Sequence, residues 1–301
     1  MQIGRKEVLW SYAATFLQIG AGIILLPFIL REFPQETVAI WTIFLTIMTL
    51  CSMLDFGFNP SFARNVSYVV SGTKELKKTG FQIVENTNSE VDYGLFKGVI
   101  NAMRWFYGRV ALILFVLLLT VGTYYINTIL INYSYSHIEV YLSWTILCII
   151  NSYLLYTTYY DSLLQGQGLV KRAKQIQIIG QTVYLFVAVL LILLQFNLIA
   201  IVSAQALSII IRRILSYKTI YTADFKQRLQ NAVAYSHKDI LKVIYPNAVK
   251  LGLTGLGTFL ITRSSIIIGS LYLSLDLIAS YGITMQIIAI IHALGTVYFL
   301  K

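Results

Sequence analysis

Charged side chains are scarce in this chain: Lys, Arg, Asp and Glu together make up 12% of its 301 residues. A soluble domain usually carries about a quarter, because its surface must face water. The shortage therefore argues against a water-soluble domain. Cysteine is also scarce, and both copies, Cys51 and Cys148, fall inside apolar runs. Two cysteines exclude a disulfide framework and a cysteine metal cluster.

Sequence motifs of catalysis and nucleotide binding are missing as well. The chain has no H-E-x-x-H zinc motif, no Walker A phosphate loop and no G-x-S-x-G nucleophile elbow. We therefore predict no enzyme activity, no cofactor and no resident metal. The net charge of +10 is better explained by the cytoplasmic loops of a membrane protein than by nucleic-acid binding.

Long hydrophobic runs are plentiful, and hydrophobic residues reach 57% of the chain. A run of roughly 20 apolar residues crosses a membrane as a helix. We predict an all-α polytopic membrane protein with about eight transmembrane helices. The predicted spans are residues 8–30, 38–58, 110–131, 140–164, 176–194, 198–217, 244–269 and 278–300. The sixth is cut short by Arg212 and Arg213, which we expect to snorkel to the cytoplasmic interface.

The basic residues orient these spans. With the N-terminus in the cytoplasm, the cytoplasmic segments hold 20 of the 23 Lys and Arg residues. Arg31 alone is outside, and Lys250 and Arg263 lie within a span. This asymmetry predicts the orientation. In the cytoplasmic segment 59–108, we expect Asp92 to begin an amphipathic helix through Leu95, Val99, Met103 and Phe106.

The cytoplasmic segment after the sixth span divides the chain. We predict an N-terminal lobe of six helices over residues 1–217, a cytoplasmic linker over 218–242, and the first two helices of a second lobe over 243–301.

Polar residues recur along single faces of several spans, with Gln18, Asn151 and Gln181 among the longer side chains. A single stripe of this kind is usually a helix-packing face. Several together favour a hydrated central cavity.

Ionisable residues inside the spans have two interpretations each. Arg263 lies roughly 9 Å from the outer end of its span, where it either snorkels outward or faces the cavity and holds a phosphate. Lys250 lies near the inner face of the same span, where we expect it to snorkel to the interface. Asp55 and Asp161 close two spans on the inner side, where they either pair with Arg64 and Lys171 or take part in ion coupling.

The seventh span also contains a proline and a cluster of glycines, Pro246, Gly252, Gly255 and Gly257. Such residues allow a helix to bend during transport, or to pack closely against a neighbour. The sequence leaves both interpretations open.

Three segments carry a resemblance to a known family: MLDFGFNPSFARNVSYVVSG, YYDSLLQGQGLVKRAKQIQI and YPNAVKLGLTGLGTFLITRSSIIIGSLYLSLDLIASYGITMQI. In order and spacing, they resemble polysaccharide flippases of the Wzx type. This family exports O-antigen and capsule repeat units and belongs to the multidrug/oligosaccharidyl-lipid/polysaccharide exporter superfamily.

The resemblance implies two lobes, about twelve to fourteen spans in all, around a cationic cavity in the bacterial cytoplasmic membrane. It implies translocation of undecaprenyl-diphosphate-linked oligosaccharide from the inner to the outer leaflet. Other partners would be membrane lipid and the polymerase and chain-length proteins of the same pathway. Because only about eight spans are predicted here, we expect the C-terminal helices of the second lobe to be lacking, which also leaves open an inactive fragment.

The resemblance also assigns roles to residues. Arg263 would contact the diphosphate, with Arg31 and Lys250 as weaker electrostatic help, and Gln18, Asn151 and Gln181 would line the cavity or contact sugar. Many relatives have an acidic residue where this chain has Thr262, so an ion pair with Arg263 is not expected there.

Two other functions remain open at this stage. An ion-coupled multidrug exporter of the same fold calls for a carboxylate at the membrane centre, and Asp55 and Asp161 lie too near the inner face. An integral-membrane glycan polymerase or acyltransferase calls for a large outer loop, and the predicted outer loops are short.

Overall fold

The computed structural model describes residues 5–73, 76 and 90–299, and within them the chain is helical, without strands. In chain order the helices are α1 (Arg5–Glu32), α2 (Gln35–Met53), α3 (Phe58–Val70), α4 (Tyr93–Leu117), α5 (Thr123–Leu130), α6 (His137–Tyr156), α7 (Tyr159–Gly166), α8 (Val170–Leu193), α9 (Asn197–Ile220), α10 (Ala223–Asn231), α11 (His237–Thr262), α12 (Ser264–Gly269) and α13 (Leu275–Phe299). A π-helical turn, Leu118–Gly122, joins α4 to α5.

Seven helical segments of the described chain are long and apolar enough to cross a membrane. They are Val8–Glu32, Gln35–Met53, Tyr93–Leu130, His137–Gly166, Val170–Leu193, Asn197–Ile220 and Leu275–Gly295. A shorter apolar segment, Ala248–Thr262, lies where the sequence predicts the seventh span. The prediction of an all-α, multi-pass membrane protein is confirmed.

The outer surface of these helices is apolar. Leu9 and Phe16 on α1, Leu112 and Ile113 on α4, and Phe186 on α8 are all exposed. Water would not favour such a surface, whereas hydrocarbon chains do. One continuous core nevertheless runs from α1 to α13. The helices therefore pack into a single bundle whose outer face suits lipid.

The segment that begins at α4 is longer than a membrane requires. Its 38 residues, Tyr93–Leu130, extend about 57 Å as a helix, against a hydrocarbon core of ~30 Å. The N-terminal part must project from the membrane, on the side predicted to be cytoplasmic. Asp92 caps this part, because its Oδ1 accepts a 2.9 Å hydrogen bond from the Leu95 N–H. The predicted amphipathic helix beginning at Asp92 is therefore confirmed.

The second span ends earlier than predicted. α2 stops at Met53, and a turn leads into α3, which the sequence analysis missed. Gly57 in this turn has a φ of 70°, a conformation that glycine adopts without strain. A Cβ at this position would also collide with Leu251 of α11. The turn thus redirects the chain and lets α11 approach closely.

A layer of short helices lies at the predicted cytoplasmic end of the bundle. α3 packs along α7, and both contact α4. α7 follows a break in the predicted fourth span at Thr157–Thr158. α10 lies within the predicted linker 218–242 and contacts α4. The predicted domain boundaries stay a prediction.

Helices α11, α12 and α13 pack on the first nine rather than standing apart from them. α13 lies along α2, and α11 contacts α3 and α4. Gly282 of α13 meets Thr42 of α2 so closely that a Cβ there would collide with the threonine side chain. The predicted seventh span is continuous through Pro246 and breaks at Arg263, which has a φ of −133° and separates α11 from α12.

Candidate functional site

A polar cavity of about 590 Å³ opens at the predicted cytoplasmic end of the bundle. We call it the inner cavity. Its walls come from α3, α6, α7, α8 and α9. The polar residues that line it are Asn59, Asp161, Gln165, Lys174, Gln177, Arg212, Arg213 and Ser216. Three of these side chains are basic and one is acidic, so the inner cavity is cationic.

An ion pair joins two walls of the inner cavity. Arg213 Nη1 on α9 lies 2.9 Å from Asp161 Oδ1 on α7. The Arg213 side chain is only 6% exposed, whereas that of Asp161 is 40% exposed. Arg213 therefore does not snorkel to the interface, and the snorkelling prediction is wrong for this residue. The partner of Asp161 is Arg213 rather than the predicted Lys171.

Arg212 is a cation of the inner cavity without an acidic partner among the described residues. Among the described residues, no carboxylate oxygen lies within ion-pair distance of its guanidinium. Its Nε atom is buried and has no hydrogen-bond partner in the described part of the chain. The stem of Arg212 lies against Gly180 of α8, where any side chain would collide with its Cγ and Cδ atoms. Gly180 thus makes room for a positive charge inside the bundle.

Amide side chains extend the polar surface from the inner cavity towards α1. Lys174 Nζ donates to Gln177 Oε1 at 3.3 Å, and Gln177 Nε2 donates to Gln18 Oε1 at 3.1 Å. Gln181 follows Gln177 by one helical turn and is half-buried on the same face of α8. The structure therefore brings Gln18 to the side of the inner cavity and leaves Gln181 one helical turn farther along α8. Gln177 lines the inner cavity directly, and its spacing of four residues from Gln181 is the sequence signal that could have found it.

Asn151 has a different environment. It is buried in α6, and its side-chain amide donates to the Leu147 carbonyl at 2.8 Å, within its own helix. It does not line the inner cavity. The structure thus separates Asn151 from the glutamines.

The three predicted cationic site residues lie away from the inner cavity. Arg31 is mostly exposed at the end of α1 and pairs with the adjacent Glu32 at 3.3 Å. Lys250 is exposed on α11. Arg263 is half-buried at the break between α11 and α12, and its backbone N–H donates to the Phe259 carbonyl at 2.8 Å. None of the three lines the inner cavity.

Asp55 and Asp161 belong to neighbouring parts of one polar network. Asp55 Oδ1 accepts a 2.5 Å hydrogen bond from the Tyr107 hydroxyl, and Asp55 also accepts from the Asn59 N–H at 3.1 Å. Ser162, next to Asp161, donates to Asn59 Oδ1 at 2.5 Å. The network joins the end of α2 to α3, α4 and α7, and Asp161 extends it to α9. The partners of Asp55 are Tyr107 and Asn59 rather than the predicted Arg64.

Burial changes the acidity of Asp55, which lies in the turn after the second span. Removal from water raises the pKa of this carboxyl above its ordinary value of 3.8. Hydrogen bonds from Tyr107 and Asn59 act in the opposite direction and limit the rise. Asp55 is thus a protonatable group beside the inner cavity.

The predicted hinge residues differ in their surroundings. Pro246 is exposed within α11. A Cβ at Gly252 would lie 2.8 Å from Phe56 Cα, so Gly252 serves close packing against the turn after α2. Gly255 lies near Met53, and Gly257 has no neighbour within 4 Å of an added Cβ. Close packing thus accounts for Gly252 and not for Gly257.

Residues 5–73, 76 and 90–299 contain no group of three or more His, Cys, Asp or Glu side chains that could hold a metal ion. Comparison with known proteins returned no matching family model, no matching curated protein and no matching solved structure. The chemistry of the inner cavity and the sequence resemblance are therefore the basis for assigning a function.

Proposed function

We propose that this chain takes part in moving undecaprenyl-diphosphate-linked oligosaccharide from the inner to the outer leaflet of a bacterial cytoplasmic membrane. The observation that carries the proposal is the unpaired Arg212 in the cationic inner cavity of a multi-pass helical bundle. The resemblance to polysaccharide flippases supports the same conclusion.

The charges favour a phosphate ligand. The inner cavity has three basic side chains, Lys174, Arg212 and Arg213, and one carboxylate, Asp161. Asp161 already forms an ion pair with Arg213. A partly buried charge without an acidic partner carries a desolvation cost, and an anionic ligand relieves that cost. The guanidinium fork matches phosphate oxygens in geometry as well as in charge. Arg212 is therefore the group that we assign to the diphosphate on the cytoplasmic side.

The amides beside it favour a saccharide. Gln18, Gln177 and Gln181 each offer donors and an acceptor, as sugar hydroxyls do. The volume of about 590 Å³ lies in the range of small-molecule sites. These side chains would receive the sugars nearest the diphosphate.

The break between α11 and α12 is the place where we expect the substrate to bind when the bundle is open to the outside. Arg263 lies at this break, near the predicted outer end of the seventh span. Interrupted helices in transporters expose backbone groups only where they border a cavity. In the proposed cycle, Arg263 receives the diphosphate after the bundle opens outward, and Gly257 allows α11 to bend.

Ion-coupled drug export is the second candidate, and Asp55 is the observation that favours it. A partly buried carboxylate with a raised pKa can take up and release a proton. An exporter of cationic drugs, however, needs a negative site, whereas the inner cavity is positive. We therefore favour lipid-linked saccharide as the substrate.

Complementation tests the proposal. A host without its own repeat-unit flippase is supplied with the native saccharide pathway and expresses this chain, and a parallel strain expresses the gene with its native downstream sequence. Surface glycan and the pool of undecaprenyl-linked oligosaccharide are measured. We expect the glycan to return and the pool to fall in at least one strain. Unchanged glycan in both strains, with the protein present in the membrane, would overturn the proposal.

A further inference from the structure

A second cavity, separate from the inner cavity, is walled largely by tyrosine. Its volume is about 450 Å³, and it lies between α4, the α6–α7 junction, the end of α9 and α10. Five tyrosines line it: Tyr156, Tyr159, Tyr160, Tyr217 and Tyr221. We call it the tyrosine pocket.

The tyrosines form a connected set of rings. The ring centres of Tyr159 and Tyr160 are 4.4 Å apart, and those of Tyr217 and Tyr221 are 5.0 Å apart. Tyr160 links the two pairs through an edge contact with Tyr221. Tyrosines at a membrane interface commonly anchor a protein in the bilayer. Anchoring alone does not require rings from three helices to line one cavity. The tyrosines here do line one cavity.

Two basic side chains complete the tyrosine pocket, and no Asp or Glu lines it in the described part of the chain. Arg104 of α4 lines the tyrosine pocket together with the five tyrosines. Lys226 of α10 lies with its Nζ 5.1 Å from the centre of the Tyr217 ring. The inner cavity has a carboxylate to balance part of its charge, whereas the tyrosine pocket has none. Its charge therefore excludes cations and favours an anion.

The remaining surface suits a ring with hydroxyl groups. Aromatic faces accept flat or puckered rings by stacking, and tyrosine hydroxyls both donate and accept hydrogen bonds. Stacking surfaces and basic groups together match a sugar bearing a phosphate better than they match phosphate alone.

The position of the tyrosine pocket places it where a lipid head group can reach. Arg104 precedes Tyr107 by three residues, about 4.5 Å along α4. Tyr107 in turn contacts Asp55, just after the end of the second span. The tyrosine pocket therefore lies at the level of the predicted cytoplasmic membrane surface. Basic pockets at this level commonly bind the phosphate of lipid head groups.

We propose that the tyrosine pocket binds a phosphorylated sugar or polyol at the cytoplasmic membrane surface. Its use as the site where the head group of the transported lipid first docks rests on the proposed function. The binding itself does not, and it is measured without transport. Failure to bind would leave the flippase proposal standing, and failure to complement would leave the binding site standing.

Titration calorimetry on the full chain in phosphatidylcholine nanodiscs tests the proposal, with glucose 1-phosphate, glucose and inorganic phosphate as probes. We expect saturable binding of glucose 1-phosphate that is tighter than that of either other probe. Arg104→Gln removes a cation and should weaken the binding of glucose 1-phosphate about tenfold, as the loss of a charge-assisted hydrogen bond does. Lys226→Gln, on the exposed helix α10, should weaken it in the same direction without a risk to folding.

Arg109→Gln is the matched control, because Arg109 stacks on Trp105 outside the tyrosine pocket. It should bind glucose 1-phosphate as the wild type does. Nanodiscs that contain phosphatidylglycerol separate the sources of the ligand. If phosphatidylglycerol competes with glucose 1-phosphate, a membrane phospholipid is an occupant of the tyrosine pocket. If it does not compete, a sugar phosphate is the preferred occupant. The proposal is overturned if glucose 1-phosphate does not bind, if inorganic phosphate binds as tightly, or if Arg104→Gln and Lys226→Gln both bind unchanged.

Discussion

Arg213 on α9 holds Asp161 on α7 at 2.9 Å from inside the helix bundle, while the next residue, Arg212, has no acidic partner among the described residues. Adjacent arginines thus have opposite roles. Arg213 is neutralised and joins two helices, whereas Arg212 is left available on the wall of the inner cavity. Substitutions at the two positions should accordingly have opposite effects on stability and on binding.

Asp161→Asn should lower the stability of the protein. Arg213 is 6% exposed, so the substitution leaves a buried guanidinium without a counter-charge. Loss of one partner of a fully buried pair costs about 3–5 kcal/mol, and the 40% exposure of Asp161 reduces our expectation to about 1–3 kcal/mol. A thermal unfolding curve in detergent measures the effect. Asp224→Asn, which breaks the exposed pair with Arg228, is the control and should leave the midpoint unchanged; equal shifts in both variants would contradict the role of burial.

Arg212→Gln should impair export and leave stability equal or higher. Removing a partly buried cation that has no acidic partner relieves a desolvation cost, but it also removes the proposed phosphate-binding group. We expect surface glycan in the complementation assay to fall at least tenfold, as for a lost charge-assisted contact. Arg172→Gln removes an exposed arginine of α8 and should export normally. If Arg212→Gln lowered the unfolding temperature and exported normally, Arg212 would have a role in stability and not the proposed role in phosphate binding.

Gly180→Leu should disturb the site through Arg212. A side chain at this position collides with the stem of Arg212, so either α8 and α9 separate or the guanidinium moves. Overpacking of this kind costs about 1–3 kcal/mol, and export should fall with it. Gly20→Leu is the matched control, because an added Cβ at Gly20 has no neighbour within 4 Å. The unfolding midpoints and surface glycan of the two variants give the comparison, and equal results would exclude a specific role for Gly180.

The sequence was sufficient to predict features that depend on local pattern. Apolar run length located the spans, and Asp92 followed by spaced apolar residues located the start of α4. The sequence does not predict the turn after α2 because apolar residues, Phe56 and Phe58, continue past Asp55 into α3 and extend the apparent span.

The cavities depend on contacts between distant residues, which a single sequence does not reveal. Asp161 and Arg213 are 52 positions apart, and the nearer Lys171 was the more obvious partner. Snorkelling was a sound expectation for two arginines at a helix end. It failed for Arg213 because α7 folds back beneath α9 and supplies Asp161 there. The tyrosine pocket likewise combines side chains from four segments that are far apart in the sequence.

Asp55 should make stability depend on pH in a direction opposite to that of an ordinary paired carboxylate. Its pKa is raised in the folded protein by burial, so the folded state holds the proton more tightly than the unfolded state. The contribution of protonated Asp55 is therefore complete below its ordinary pKa of 3.8 and is lost as pH rises through the raised pKa. We expect the unfolding midpoint of the wild type, relative to Asp55→Asn, to fall over this interval. A constant difference between the two proteins across the interval would exclude Asp55 as the titrating group.

Arg263→Ala should abolish export while the protein is still made and inserted in the membrane. The break between α11 and α12 is held by backbone hydrogen bonds, including the one from the Arg263 N–H to Phe259, which alanine retains. The half-buried guanidinium is thus free to serve the ligand rather than the fold. Arg263→Lys keeps the charge but loses the bidentate fork, so we expect it to export less than the wild type and more than Arg263→Ala. Surface glycan, normalised to the amount of protein in the membrane, gives this order. If Arg263→Ala exports normally, diphosphate contact at the outer end of the path must be assigned to another residue, and Arg212 would remain the proposed diphosphate contact on the cytoplasmic side.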